Sequence, residues 1–288
     1  MSDSLKKRLN VQQQAVQSLS QRFQGIIDVA PRVGKTKIAI DLLKLYHGQY
    51  VVLLPDSTVR GTWLTECAKW NFVVPEIHLF ASIKKVTNPQ LILIDEIHCL
   101  SPNQILLVKE IQQRTNCAIV GMTGSLNEDV EENLRKELKL SKVYTYSIEE
   151  AIQDRIIADY EIYVHKIPLD NLKKVYETKK GRLTEKEQYK LLTSRFEYFR
   201  RESRKKPELD AVKMQFASKR ATMLYESESK IKAVQKLLLK LKKEKVLIFT
   251  TRIGVAEQLA SETYHGKSLS DTYYQSFKSS KDGHLTVV

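Results

Sequence analysis

Long apolar runs and an apolar N-terminal stretch are both missing from this sequence. The longest apolar runs, such as VVLL from residue 51 and LILI from residue 91, are far shorter than the roughly 20 residues that span a bilayer. The first residues, MSDSLKKRL, do not have the apolar core of a secretory signal. We therefore expect a soluble protein without a membrane partner.

Cysteine is scarce as well. The three cysteines, Cys67, Cys99 and Cys117, are far apart and show neither a Cys-x-x-Cys pair nor a Cys/His spacing. Zinc sites and redox dithiols have such spacings, so the sequence predicts no metal framework and a reduced, intracellular setting. Internal repeats and low-complexity tracts are also lacking.

Acidic residues are under-represented in one segment. The chain has a net charge of +13, and residues 166–245 alone contain 24 lysines and arginines against 11 acids, so the rest of the chain sums to zero. A localised excess of positive charge suits a polyanionic partner. Two interpretations stay open at this point: a set of solvated lysine-rich helices, or a nucleic-acid-binding surface.

Short apolar runs alternate with helical patterns from about residue 26 to residue 125. The runs are GIIDVA, YVVLLP, LILIDE and CAIVGMTGS, and helical segments such as KIAIDLLKLY and NQILLVKEIQQ lie between them. This alternation predicts a doubly wound α/β domain with a parallel sheet covered on both faces. Active sites in such sheets lie beyond the carboxyl ends of the strands.

The pattern divides the chain into three predicted segments. Residues 1–160 form the α/β domain. Its last part, residues 126–160, is polar and predicted to be helical, and DYEIYVHKIPL leads out of the domain as an extended segment. Residues 161–244 are predicted to form a basic helical linker or subdomain. Residues 245–288 restart the strand pattern with KVLIFTT, and we expect the incomplete beginning of a second α/β domain because only about forty residues remain.

The segment DVAPRVGKTK follows a strand and opens a helix, which is the context of a phosphate loop. In such a loop, backbone N–H groups face the anion, Lys35 reaches the β- and γ-phosphates, and the Thr36 hydroxyl ligates magnesium. Val29 and Arg32 stand where the usual pattern has small residues, so an ordinary turn is the alternative. The candidate nucleotide-binding residues are Ala30, Pro31, Arg32, Val33, Gly34, Lys35 and Thr36.

A pair of carboxylates follows another predicted strand. LILIDEIH places Asp95 and Glu96 about sixty residues after the loop, where a magnesium ligand and a base for the attacking water would stand. Two adjacent acids also occur as ordinary charges at helix starts. In combination with Lys35 and Thr36, they favour a site for nucleotide hydrolysis.

These motifs resemble those of superfamily 2 helicases and translocases, of the DEAD/DEAH-box, Swi/Snf-like or phage type. APRVGKT looks like motif I, DEIH like motif II, and MTGS like motif III. PDSTVRGTWLTECAKW is similar to motif Ia with the following Trp and Glu of Swi/Snf-like proteins, and KVLIFTTRIGVAEQLA is similar to motif IV. EEAIQDRIIADYEI resembles the exit from the first motor domain, and YHGKSLSD resembles the loop after motif IV. The resemblance covers nearly the whole chain and implies one RecA-like domain and the start of a second.

The resemblance implies ATP and Mg²⁺ as cofactors and assigns roles to the motif residues. Lys35 and Thr36 would bind the phosphates and the metal, Asp95 would hold the metal, and Glu96 would position or activate water. Thr123, Gly124 and Ser125 would relay the nucleotide state. His98 would bridge motif II to a domain interface, the alternative being a polar residue at a strand exit.

Near the N-terminus, LNVQQQAV looks like the glutamine motif that reads adenine in this family. The spacing fits Gln12 and Gln13 equally, and a polar helix start is the alternative.

Candidate nucleic-acid contacts come from three segments. In SRFEYFRRESRKK, Leu192, Phe196 and Phe199 recur at helical spacing and are predicted to pack inward. The basic residues of that stretch would then face solvent or phosphate: Arg200, Arg201, Arg204, Lys205 and Lys206. The resemblance adds residues of motif Ia and of the loop after motif IV: Ser57, Thr58, Arg60, Gly266 and Lys267. Trp63 and Trp70 lie seven residues apart and are predicted to be core anchors.

Together these features predict an intracellular, ATP-dependent helicase or translocase that acts in the cytoplasm or nucleoid. A phage-encoded protein that acts inside a host cell fits the same prediction. Nucleic acid is the expected partner, DNA in preference to RNA, and a monomer is the default. Two alternatives remain: a nucleic-acid-binding regulatory protein with a degenerate motor, and a P-loop ATPase unrelated to nucleic acid. Motifs V and VI of the family do not occur before Val288, so we expect the chain as given to bind ATP better than it hydrolyses it.

Overall fold

The structure is a computed structural model that describes residues 2–179, 181–260, 262–265, 272–281 and 283–287. Its contacts divide the chain into two compact units, Met1–Ile162 and Tyr163–Val288. Each unit is described by itself. In the described part of the chain, every helix is too short or too polar to cross a membrane.

Unit 1 alternates helices and strands along the chain. Its helices are α1 (Asp3–Leu19), α2 (Lys35–Lys44), α3 (Ser57–Lys69), α4 (Pro102–Thr115), α5 (Glu128–Leu138) and α6 (Ile148–Gln153). Its strands are β1 (Gly25–Val29), β2 (Tyr50–Leu54), β3 (Glu76–Leu79), β4 (Leu91–Asp95), β5 (Ala118–Thr123) and β6 (Lys142–Tyr146). A short 3₁₀ turn, Ile97–Cys99, follows β4 directly.

The six strands form one parallel sheet in the order β3-β2-β4-β5-β1-β6. The central strands are buried along nearly their whole length, and two hydrophobic clusters lie on the two faces of the sheet. Near-continuous apolar runs such as Leu91–Asp95 are what a strand covered on both faces requires. The predicted α/β class with a central parallel sheet is confirmed.

Side chains near the helix ends fix where the helices begin. Asp56 accepts hydrogen bonds from the backbone N–H groups of Thr58 and Val59, so α3 begins one residue after it. Ser101 and Gln104 form a reciprocal capping box at the start of α4. The sequence therefore sets the register of the helices that flank the sheet.

Two strands were not expected from the sequence. Strand β3 and strand β6 lie at the two outer edges of the sheet, and most of their side chains are exposed or half-buried. Strand β6 falls within residues 126–160, which the pattern predicts to be helical. That prediction is wrong there because an edge strand carries polar residues and lacks the apolar run that marks a central strand.

Unit 2 contains a helical part and a second, smaller sheet. Its helices are α7 (Glu185–Glu202), α8 (Asp210–Tyr225), α9 (Glu228–Lys240), α10 (Ile253–Leu259) and α11 (Thr272–Ser279). Its strands are β7 (Lys174–Thr178), β8 (Gly181–Thr184), β9 (Lys245–Phe249), β10 (Glu262–Tyr264) and β11 (Gly283–Val287). Strands β9, β11 and β10 form a parallel sheet, with β11 in the middle.

Helices α7 and α8 pack against each other and are joined through the short 3₁₀ turn Pro207–Leu209. The small antiparallel hairpin of β7 and β8 precedes them. This hairpin lies in a region that the sequence predicts to be helical, and it was missed because its residues are polar and largely exposed. The boundary predicted at residues 244–245 falls just before β9, and the division of this unit into two domains stays a prediction.

One buried carboxylate holds three parts of unit 2 together. Glu185, at the first position of α7, is almost fully buried. It accepts hydrogen bonds from the backbone N–H groups of Asp170 and Ser229 and from the hydroxyls of Ser227 and Ser229. Burial by itself would raise the pKa of Glu185, but these donors outweigh it and leave the pKa below its ordinary value of 4.5.

Replacing Glu185 with Gln should destabilise unit 2. At pH 7 we expect a loss of about 1.5–3 kcal/mol in the free energy of unfolding, because bonds to a charged acceptor are lost. Since the folded-state pKa is lowered, the charged group stabilises the fold above about pH 4.5 and ceases to do so as the pH falls through the folded value. The difference between the variant and the natural protein should therefore shrink in acid, as measured by chemical denaturation. Glu208→Gln, the same change at an exposed site, is the control, and equal effects of the two would contradict this assignment.

Candidate nucleotide-binding site

The candidate site lies at the carboxyl edge of the parallel sheet in unit 1. Strands β1, β5 and β4 are neighbours, so the segments that follow them emerge side by side. The register pairs Asp28 of β1 with Thr123 of β5, and Met122 of β5 with Asp95 of β4. Motifs that are far apart in the sequence are therefore brought to one edge.

The loop from Ala30 to Gly34 makes the turn from β1 into α2. Gly34 stands at the N-cap of α2 with φ 102° and ψ 56°, a left-handed conformation that favours glycine. Arg32 is also left-handed, with φ 66°, although it carries a side chain. Ala30 and Val33 are buried, whereas Pro31 and Arg32 are exposed. The backbone thus turns where a phosphate loop would, despite the unusual residue at position 32.

Two side chains of helix α1 donate hydrogen bonds to this loop. The Gln12 side chain donates a hydrogen bond through Nε2 to the carbonyl oxygen of Val33 at 2.6 Å, and Arg8 Nε donates to the same oxygen at 2.9 Å. Gln12 is buried, while Gln13 is exposed. The structure therefore brings Gln12 to the loop and leaves Gln13 away from it.

A cleft of about 300 Å³ opens between the start of α2, helix α1 and helix α3. It is lined by apolar, aromatic and charged side chains, among them Leu5, Leu9, Gln12, Thr36, Glu66 and Trp70. Trp70 donates its indole N–H to Glu66 at 2.7 Å, and the Lys37 ammonium lies 4.6 Å from the ring centroid. This cleft adjoins the loop from Ala30 to Gly34.

Motif I and motif II meet through one ion pair. The Lys35 ammonium lies 2.6 Å from Glu96 Oε1, and both side chains are partly buried. Glu96 has a left-handed backbone, with φ 51°, which turns its side chain out of line with strand β4. Thr36, the next residue in the loop, is half-buried at the first turn of α2.

Asp95 is buried at the end of β4, with 5% of its surface exposed. Its Oδ2 accepts the indole N–H of Trp63 at 2.8 Å, and its Oδ1 accepts the backbone N–H of Glu96 at 3.0 Å. Burial raises the pKa of Asp95, and the hydrogen bond from Trp63 opposes that rise. A nearby cation would favour the charged carboxylate in the same way as the donors do.

A chain of polar contacts links motif II to motif III. His98 Nδ1 lies 2.9 Å from Thr123 Oγ1 and 3.5 Å from Glu96 Oε2. Thr123 Oγ1 also accepts the backbone N–H of Ser125 at 3.2 Å. A Cβ atom at Gly124 would stand 3.1 Å from the Lys35 ammonium, so the backbone there passes close to Lys35. Of the predicted coupling residues, His98 and Gly124 therefore lie beside the Lys35–Glu96 pair, and Thr123 and Ser125 are linked to the pair through His98.

The predicted nucleic-acid residues of motif Ia lie at the first turn of α3. Ser57, Thr58 and Arg60 are exposed, at the same carboxyl edge of the sheet because α3 follows β2. In unit 2, the basic residues from Arg200 to Lys206 are exposed at the end of α7 and just beyond it. Gly266 and Lys267, the other two predicted contacts, lie outside the described residues.

The aromatic side chains of α7 pack as predicted against the neighbouring helix. Leu192 is buried, and Phe196 and Phe199 are half-buried. Phe199 stacks on Phe216 of α8 with the ring centroids 5.3 Å apart. Arg200 pairs with Glu197 at 2.7 Å, whereas Arg204 and Lys206 have no acid within 4 Å in the described part of the chain.

Sequence reasoning missed three residues of this site. Trp63 was predicted only as a core anchor, which it is, but its N–H also bonds Asp95. Arg8 joins Gln12 on the loop carbonyl. Asp28, next to the loop on β1, has a pKa raised chiefly by burial. Only the position of Arg8 one helical turn before Gln12 gave a signal in the sequence.

The side chains at this edge suit a magnesium–nucleotide complex. The Thr36 hydroxyl and the Asp95 carboxylate are the hard oxygen donors that Mg²⁺ prefers. Lys35 supplies a cation for phosphate, and the N-terminus of α2 supplies backbone N–H groups and a favourable dipole. The donor set and the left-handed turn at Gly34 therefore fit ATP and magnesium.

The comparisons with known proteins bear on the fold. No protein-family model and no curated protein matches the sequence. The helicase domain of Hef from Pyrococcus furiosus aligns with 96% of this chain and 84% of its own, at a TM-score of 0.50 and 12% identity. Two structures of the UvsW helicase from bacteriophage T4 align at TM-scores of 0.40 and 0.38, with 15% and 13% identity.

The UvsW alignments cover 46% and 96% of this chain and 57% and 56% of the UvsW chains, so this chain spans little more than half of UvsW. At 12% identity, the likeness to Hef shows the fold alone. The protein has a RecA-like α/β fold, like that of the Hef helicase domain.

Replacing Gly34 with Ala should disturb the loop in two ways. The left-handed backbone costs an alanine about 1–2 kcal/mol, and its Cβ would stand 2.7 Å from Gln12 Nε2. We expect a lower melting temperature and weaker nucleotide binding, measured by thermal denaturation and nucleotide titration. Gly61→Ala is the matched control: it meets nothing within 4 Å and should stabilise α3 by roughly 0.5–1 kcal/mol. A Gly34→Ala variant as stable as Gly61→Ala would contradict the described loop.

Proposed function

We propose that this chain is the ATP-driven motor of a nucleic-acid helicase or translocase, acting on DNA in preference to RNA. The observation that carries the proposal is the meeting of motifs I, II and III at one sheet edge through Lys35, Glu96, His98 and Thr123. A turn that merely resembled a phosphate loop would have no reason to place its lysine on a carboxylate sixty residues away.

The proposed chemistry is phosphoryl transfer to water. When bound, ATP supplies the phosphoryl group and magnesium neutralises its charge. Lys35, released from Glu96, would bind the phosphate oxygens, and Thr36 and Asp95 would hold the metal. Glu96 would orient a water molecule and accept its proton while the water oxygen bonds the γ-phosphorus and the bond to the ADP oxygen breaks. Phosphoryl transfer depends mainly on positioning and charge, and these groups supply part of both.

The proposed relay runs from Glu96 to motif III. His98 contacts both Glu96 and Thr123, so a change in the position of Glu96 alters the hydrogen bonds of the Thr123–Ser125 turn. That turn lies at the same edge as the start of α3, where Ser57, Thr58 and Arg60 are exposed. In this proposal the nucleotide state reaches the nucleic acid through these contacts.

The base-binding part of the proposal rests on the cleft beside α1. Gln12 and Arg8 fix the Val33 carbonyl, and the cleft they border reaches Trp70. We propose that Gln12 reads adenine. Gln13 is not part of this proposal because its side chain is exposed on another face of α1.

Nucleic-acid binding is proposed from charge. The segment from residue 166 to residue 245 carries the whole net charge of the protein, and its basic cluster at the end of α7 is exposed. Binding of this kind is governed by counterion release and is therefore weakly sequence-specific and strongly salt-dependent.

One observation favours a second candidate, a nucleic-acid-binding regulatory protein with a degenerate motor. Arg32 occupies a left-handed position of the phosphate loop, where a side chain is strained and a small residue or glycine is usual. A degenerate motor would bind nucleic acid without turning over ATP, so hydrolysis separates the two candidates.

Lys35→Ala should separate nucleotide binding from nucleic-acid binding. Hydrogen bonds to charged groups contribute about 1.5–3 kcal/mol, so ATP affinity should fall at least about 10-fold, while DNA affinity at low salt stays the same. Nucleotide titration and fluorescence anisotropy measure the two. Lys136→Ala removes an equal charge from an exposed position of α5 and should leave both affinities unchanged. Unaltered ATP binding in Lys35→Ala would refute the proposed site.

Removing charge from the end of α7 should lower the salt dependence of DNA binding. Each phosphate contact contributes about 0.9 to the slope of log affinity against log salt, so Arg204→Gln with Lys206→Gln should reduce the slope by about 1.8. Lys236→Gln with Lys240→Gln makes the same charge change on exposed positions of α9. If both pairs lower the slope equally, the basic cluster at the end of α7 has no special role in DNA binding, and the positive charge of the whole segment acts as a diffuse surface.

A further inference from the structure

The carboxylate of Asp95 accepts a hydrogen bond from a residue outside motif II. Trp63 of α3 donates its indole N–H to Oδ2 at 2.8 Å, and the backbone N–H of Glu96 occupies Oδ1 at 3.0 Å. Trp63 has no exposed surface, and Asp95 has 5%. Both oxygens of the carboxylate are thus oriented by donors inside the protein.

An indole is well suited to hold a carboxylate in one rotation. Its N–H is a donor only, and its ring has few rotamers once packed. In this site the ring lies in the hydrophobic cluster formed by α2, α3 and the sheet, so the direction of the N–H is fixed by packing. A carboxylate oxygen can accept more than one hydrogen bond or metal contact, so a donor on each oxygen does not use up its capacity to bind a metal ion.

The bond also connects two parts of the proposed motor. Helix α3 begins with Ser57, Thr58 and Arg60, which we propose as nucleic-acid contacts, and Trp63 follows Arg60 by three residues. At about 1.5 Å per residue, this is less than one turn of helix. A shift of α3 would therefore move the donor that orients the metal-binding carboxylate.

We propose that Trp63 is a positioning residue for magnesium, holding the Asp95 carboxylate in the rotation that binds the metal. This inference rests on the proposed function, because it assigns the metal of the same ATP site. Groups that orient a metal ligand typically change metal affinity 10–100-fold when they are removed. Removing the indole N–H should therefore raise the Mg²⁺ concentration that nucleotide binding requires, and should leave the nucleotide affinity without metal unchanged.

The test is the affinity for a fluorescent ADP analogue, measured with increasing Mg²⁺ and again in EDTA. For Trp63→Phe we expect the Mg²⁺ concentration for half-maximal enhancement of binding to rise about 10-fold. The affinity in EDTA should change less than about 2-fold, because Lys35 and the loop are untouched. A variant that had merely loosened the fold would lose affinity under both conditions.

Two further variants keep the outcome decisive. Cys67→Ala removes volume from the same buried face of α3, one turn beyond Trp63, without touching Asp95, and should leave the Mg²⁺ dependence unchanged. If Trp63→Phe does not fold, a benzothienylalanine at position 63, which has sulfur in place of the N–H and nearly the same shape, replaces it. The same rise in the required Mg²⁺ is expected.

The outcomes separate this inference from the proposed function. If the natural protein binds the analogue with Mg²⁺ enhancement and the position 63 variants show the same Mg²⁺ dependence, Trp63 is a core residue only and the inference is wrong. If the natural protein binds no nucleotide with or without Mg²⁺, the proposed function fails and the inference fails with it.

Discussion

The order of the strands in the parallel sheet is the constraint on which the site depends. Strand β1 has β5 beside it, and β5 has β4 on its other side, so the segments that leave these three strands share one edge. Because the three strands are parallel and buried along nearly their whole length, a slip by one residue would exchange side chains between the two hydrophobic layers and disrupt the packing of both. The contact of Lys35 with Glu96, and that of His98 with Thr123, follow from this arrangement.

Much of this arrangement could be predicted from the sequence, because central strands and helix starts leave local signals. The four apolar runs gave the central strands, and polar residues just after them gave Lys35, Asp95 and Thr123. The edge strands β3 and β6 gave no such signal, since half-exposed strands need no apolar run. Sheet order itself was not readable, because neighbours in a parallel sheet are set by crossovers and not by local pattern.

Contacts between distant residues were the other limit. Gln12 and Gln13 could not be told apart, since successive residues of a helix differ by about 100° in direction and one residue decides which face reaches the loop. The bond from Trp63 to Asp95 joins residues 32 positions apart, and a tryptophan at helical spacing predicts burial without naming its partner. In unit 2, the bonds of Glu185 to Ser227 and Ser229 span more than forty residues and were equally hidden.

ATP hydrolysis in the presence and absence of nucleic acid tests the central claim most directly. We predict a low, magnesium-dependent rate that single- or double-stranded DNA raises several-fold and that Glu96→Gln removes, since Glu96 is the proposed base. Equal stimulation by RNA would contradict the proposed preference for DNA but would leave the proposed motor activity intact. A rate that is absent, or that is the same with and without nucleic acid and in Glu96→Gln, would contradict the account.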